Sequence, residues 1–217
     1  QGYAYQIEAI QIKVLPKNAQ DAPARGDAFR DHSQEPPTVS YRSHISNVGW
    51  MGVVADGKTS GVIDSRNAIE ALSLSVNWYG HGGSISSRVH VSGIGWQSWS
   101  SGTVGTTGQS RSVESVQFKL NDEISATYDI WYRVYASKLG GWLGWTSNGS
   151  PAGSVGKGAA IQGIQVMLVE KGCSAPGDTL NHFIGATGVL SGSSLGLNGK
   201  SLGSVQGKSI LLGSENG

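Results

Sequence analysis

At 217 residues with a net charge of +1 and only 14% charged side chains, the chain is long enough to bury a sizeable core. It carries no basic stripe that would hold a nucleic-acid backbone or an anionic membrane surface, and no apolar run of about 18 residues that would insert into a membrane. One cysteine, Cys173, excludes an internal disulfide, makes a poor metal site, and with small polar neighbours reads as an inert thiol.

The predicted elements are strands throughout. Ile7-Glu8-Ala9-Ile10-Gln11-Ile12 is the first apolar strand-like run, and Ala22-Pro23 and Phe29 follow it. The next run is Tyr41-Arg42-Ser43-His44-Ile45, ahead of the phrase Gly49-Trp50-Met51-Gly52-Val53. A small-residue turn carrying Gly61 comes next, then Ile69-Glu70-Ala71-Leu72-Ser73-Leu74. That series recurs. Ser87-Arg88-Val89-His90-Val91 leads to Gly95-Trp96-Gln97-Ser98-Trp99, Gly105 and Val113-Glu114-Ser115-Val116-Gln117-Phe118. Tyr132-Arg133-Val134-Tyr135-Ala136 leads to Gly141-Trp142-Leu143-Gly144-Trp145, Gly153 and Ile161-Gln162-Gly163-Ile164-Gln165-Val166.

Trp50, Trp96 and Trp142 are evenly spaced, which marks one unit of about 45 residues used three times. No segment shows the apolar period of a helix. The expected fold is all-β, a single pseudo-threefold domain that is β-prism-like or β-trefoil-like, with the prism preferred because each unit offers about three strands. The opening strand repeats the end of the unit, so 1–40 reads as a partial repeat and connecting segment, as in a fragment, a processed product or a sheet-closing strand. Residues 41–184 read as the three repeats (41–86, 87–131, 132–184). Residues 185–217 form a Gly/Ser/Leu-rich tail without aromatic residues, suited to a linker or a thin β segment that pairs with another chain. Its Gly199-Lys200-Ser201 and Gly207-Lys208-Ser209 lack the upstream glycine of a phosphate loop, since Ser194 and Leu202 stand there.

The recurring motifs resemble the clostridial hydrophobic repeat, a tryptophan-containing unit of Gram-positive surface proteins, secreted enzymes and their phages. Val169-Glu170-Lys171-Gly172-Cys173-Ser174-Ala175-Pro176-Gly177 is similar to the segment that ends a set of such repeats. The chain departs from the pattern at Val53, where the other units have Trp99 and Trp145, at Tyr135 for histidine, and at Gln162 for glutamate. The resemblance implies surface attachment or glycan recognition, with an extracellular, cell-surface or virion location.

Three repeated tryptophans read as the cores of their units. Trp99 and Trp145 lie three positions further on, which in a strand is the opposite face, and Val53 shows that the position tolerates loss of the ring. They are therefore the expected surface platforms for a sugar. Arg42, Arg88 and Arg133 are expected to pair with Glu8, Glu70 and Glu114, because Glu70 would otherwise share the apolar face of Leu72 and Leu74 unless the strand is bulged. A polar groove in which these arginines contact ligand hydroxyls is the alternative. His44, His90 and Tyr135 are candidate ligand-binding hydrogen-bonding groups, since tyrosine can replace histidine as a donor but not as a metal ligand. His81, in a glycine-rich loop, is expected to be solvated. Repeated carboxylates argue against individually tuned acid–base chemistry, and no nucleophile elbow is present, so neither a catalytic site nor a metal nor a cofactor is expected. The expected partner is a glycan or cell-wall polymer, with no nucleic acid and no membrane insertion. The expected function is non-catalytic carbohydrate or cell-wall binding or adhesion. The alternative is a virion or surface-layer building block that self-assembles through the tail.

Overall fold

The structure, a computed structural model, describes residues 36–79 and 81–185 together with the backbone of 196–197 and 200–201. The strand expected at 7–12 lies outside the described residues, as does nearly all of the tail.

Each repeat is organised on one long antiparallel hairpin. In the first, Thr38–Ile45 alternates strictly, with Val39, Tyr41, Ser43 and Ile45 buried and their neighbours turned outward, and it pairs with Ile69–Asn77. Ser84–Val91 pairs likewise with Val113–Asn121, and Tyr128–Ala136 with Gly163–Glu170. The inward side chains form one apolar core, in which Tyr41, Phe118 and Tyr132 are among the largest fully buried groups. Two buried tyrosines keep their hydroxyls satisfied: Tyr132 donates to the Ser150 carbonyl at 2.6 Å. Tyr41 donates to the Lys58 carbonyl and accepts the Val166 N–H at 3.1 Å, tying the first repeat to the third.

The Gly-Trp phrases form two-residue strands that fold back on the first long strand, with His44 opposite Trp50, His90 opposite Trp96 and Tyr135 opposite Trp142. Further short strands join the repeats. Val104–Gly105 of the second repeat pairs with Ile69–Asn77 of the first, Ala152–Ser154 of the third pairs with the second, and Ser60–Gly61 of the first pairs with the third. Each repeat thus extends the sheet of its predecessor, and the third is extended by the first, so the chain of pairings closes. At its centre the equivalent residues meet: Ile69 N–H donates to the Ile161 carbonyl at 2.8 Å, and Ile161 N–H to that of Val113 at 2.9 Å.

The described residues form three five-stranded sheets, one two-stranded sheet and no closed barrel, so the barrel of a trefoil is absent among them. The short joining strands read as turns in the sequence because two or three residues give no periodicity. Gly61 and Gly105 have φ of +123° and +96°, and a Cβ there would lie 2.2 Å from the carbonyl oxygens of Gln162 and Glu70 respectively. Only glycine lets the neighbouring strands approach so closely.

The second long strands of the first two repeats are bulged. Opposite Ile45 and His44 stand Ile69 and Ala71, so Glu70 is an extra residue. Glu114 is extra in the same way between Val113 and Ser115. A bulge re-aims a side chain and frees its backbone. The Glu70 carbonyl accepts the Thr106 N–H from the second repeat at 2.8 Å, and the Gln162 carbonyl accepts the Val62 N–H from the first at 2.9 Å.

Candidate functional site: the outer tryptophan–arginine faces

The residues that alternate with the core line the outer face of each hairpin: Arg42 and His44, Arg88 and His90, Arg133 and Tyr135. In the first repeat the His44 ring meets Trp50 edge-on at 5.4 Å, and the Arg42 guanidinium lies over the indole at 4.7 Å. His90 and Trp96 repeat the edge contact at 5.6 Å, and Tyr135 and Trp142 at 5.5 Å. In the second and third repeats the arginine also meets a second indole. Arg88 lies 5.2 Å from the Trp96 centroid and 4.8 Å from that of Trp99, and Arg133 lies 4.6 Å from Trp142 and 4.9 Å from Trp145. Each such contact contributes about 0.5–1 kcal/mol when exposed and more when desolvated. Both arginines are fixed further by a cross-strand glutamine. Arg88 Nε donates to Gln117 Oε1, and Arg133 Nε to Gln165 Oε1 at 2.7 Å. Burial lowers the pKa of Arg133.

Among the described residues the expected Arg–Glu pairs do not form, and Glu8 lies outside those residues. Because of the bulge, Glu70 turns out of the core and places Oε2 3.2 Å from His44 Nδ1, and Glu114 does the same with His90 at 3.2 Å. Both carboxylates are buried, 5% and 6% exposed, with the imidazole at ion-pair distance but not aligned for a hydrogen bond from Nδ1. The two tryptophan classes do not separate as expected: Trp145 is buried and Trp50 is exposed, while Trp96, Trp99 and Trp142 are alike half-buried. Trp145 is only 5% exposed, covered by the chain that follows the third repeat, where Trp145 N–H donates to the Asp178 carbonyl at 2.7 Å. Trp99 is half-buried between Arg88 and Lys119. Trp50 is exposed and Trp96 and Trp142 are half-buried. Both classes lie on the arginine side, because the segment between them leaves the strand and turns, so alternation does not carry across it. Of the candidates, the structure brings Arg, His or Tyr and both tryptophans together in the second and third repeats, and Arg42, His44 and Trp50 together in the first. Gln117 and Gln165 escaped the sequence reading, although they stand opposite Arg88 and Arg133 once the hairpins are aligned.

Beside His44 and Glu70, a cleft of about 560 Å³ separates the hairpin tip of the first repeat from a loop of the second. It is lined by Asn47, Gly49, Gly108, Ser110 and Ser112. At the equivalent junction of the third repeat with the first, the polar groups are already engaged. Tyr135 donates to Asp64, an interaction that raises its pKa. Gln162 Nε2 donates to the Ser65 carbonyl, and Gln162 Oε1 accepts the Ser137 N–H at 3.0 Å. His81 is exposed, as expected, and stacks on Trp78 at 4.2 Å. Cys173 is exposed and unpaired. Among the described residues no cluster of three His, Cys, Asp or Glu is placed to hold a metal.

Fold and faces together define an all-β repeat module in which one hairpin unit, carrying one outward Trp–Arg contact, is used three times around a closed ring. The chain belongs to the clostridial hydrophobic W (ChW) repeat family, which matches it over residues 44–77, 90–122 and 140–170. Each match takes in the Gly-Trp strand and the second long strand. No curated protein and no solved structure matches the chain.

Proposed function

We propose that this protein is a non-catalytic carbohydrate- or cell-wall-binding module of a Gram-positive surface, secreted or phage protein, working outside the cell or on a virion. The observation that carries the reading is the cleft between the first two repeats. Serine hydroxyls, the Asn47 amide, His44 and Glu70 line it, and the exposed Trp50 indole, outside that lining, meets His44 edge-on at 5.4 Å. An apolar ring face with a few convergent hydrogen-bonding groups is what a pyranose requires. The repeated pairs on the outer faces hold these groups in place, and repetition of weak sites supplies avidity toward a polymer.

A glycan array followed by titration of the best oligosaccharide tests this. Trp50→Ala is expected to leave the fold intact and weaken binding by about 1–2 kcal/mol, the size of a modest hot-spot truncation. Absence of binding to any glycan, together with concentration-dependent assembly of the full chain, would favour the building-block alternative, whose proposed contacts in 185–217 lie outside the described residues.

A further inference from the structure

The three arginines are not equivalent. Arg88 and Arg133 each lie between two indoles and donate Nε to a glutamine. The first repeat lacks both supports. Ser73 stands opposite Arg42, where Gln117 and Gln165 stand opposite the others, and Val53, 64% exposed, replaces the second tryptophan. Arg42 is exposed and rests on Trp50, and among the described residues no hydrogen bond or ion pair engages its side chain. Trp50 beneath it is also exposed, 37%.

We infer that the first repeat is an anion-selective subsite, in which Arg42 receives the carboxylate or phosphate of an acidic glycan while the sugar ring rests against Trp50 and Val53. A guanidinium held flat on an indole keeps its N–H edge free for bidentate contact with an oxyanion. In the other two repeats one N–H of that guanidinium, at Nε, is already donated to glutamine, which removes the Nε-side bidentate contact. The acidic group of the adjoining cleft, Glu70, is buried and turned to His44, so it does not compete for Arg42. The inference rests on the glycan-binding reading and gives it a chemical class, a polyanionic saccharide, at one repeat of the three.

The test uses the full chain and three probes in calorimetric titrations: a neutral N-acetylglucosamine tetramer, an oligogalacturonate carrying carboxylates, and a poly(glycerol phosphate) carrying phosphodiesters. Preference between the last two identifies the source of the anion. At least one anionic probe is expected to bind tenfold or more tighter than the neutral one, with affinity falling as salt rises. Arg42→Gln should remove that preference. The decisive variant is Val53→Trp with Ser73→Gln, which supplies the indole and glutamine seen in the other repeats. It should fold at least as stably as the parent and lose tenfold or more of the anionic affinity. Full anionic affinity in that double variant overturns the inference. Binding of the neutral tetramer with no anionic preference overturns it too, while leaving the glycan-binding reading standing; no binding of any of the three overturns both.

Discussion

Replacing Gly105 by alanine tests whether the closure of the ring is what holds the repeats together, and Gly49→Ala provides its internal control. The two glycines have nearly the same φ, +96° and +97°, but a Cβ at Gly49 meets nothing within 4 Å, whereas at Gly105 it would lie 2.2 Å from the Glu70 carbonyl oxygen and 2.7 Å from the Ala71 Cα. Gly49→Ala should therefore cost only the strain of placing a side chain at positive φ, about 1–3 kcal/mol. Gly105→Ala carries that same strain and a clash with backbone atoms, which no rotamer change relieves. Relief requires the two strands to part, which breaks the 2.8 Å bond from Thr106 N–H to the Glu70 carbonyl. An unpaired buried backbone group costs about 1–3 kcal/mol more, bringing the loss to about 2–6 kcal/mol against a usual margin of about 5–15 kcal/mol. Urea unfolding reads the difference as a lower midpoint at unchanged slope. Equal destabilisation by the two substitutions would refute the argument that close approach at the inter-repeat strands sets their stability.

Two further outcomes are expected. Trp145→Ala should lower stability by about 3–5 kcal/mol, as for a buried tryptophan, whereas Trp50→Ala, at 37% exposure, should cost about 1 kcal/mol or less; thermal melts showing similar losses would reverse the assignment of the two rings. Burial pushes the Tyr41 hydroxyl up from 10.0 to about 12 and raises that of Tyr132 as well. The unfolded chain then ionises first, so stability is intact below pH 10 and falls as pH rises from there through 12. Tyr41→Phe should make that alkaline decline shallower, and a decline of unchanged steepness measured by urea titration at successive pH values would contradict the assignment.

Much was legible in the chain because repetition averages out local ambiguity. Evenly spaced Gly-Trp phrases, each between an alternating strand and an apolar strand, determined an all-β fold of three equivalent units. The replacement of Trp99 and Trp145 by Val53 and of histidine by Tyr135 marked the units as unequal. The outward positions of Arg42, His44, Arg88, His90, Arg133 and Tyr135 follow directly from period-two alternation with residues such as Tyr41, Val89 and Val134. What a single extra residue does to that alternation was not legible. The bulges at Glu70 and Glu114 turn buried carboxylates to histidines and leave the arginines to the indoles. Whether Trp50 or Trp145 is covered depended on chain far away, at Asp178, and on turns that end the strand between the paired tryptophans. Ring closure likewise joins residues such as Gly61 and Gly163 that are distant in sequence. Local residue pattern sets which way a side chain points from its own strand, but burial and partnership are set by whichever strand arrives on the other side, and only the tertiary structure decides that.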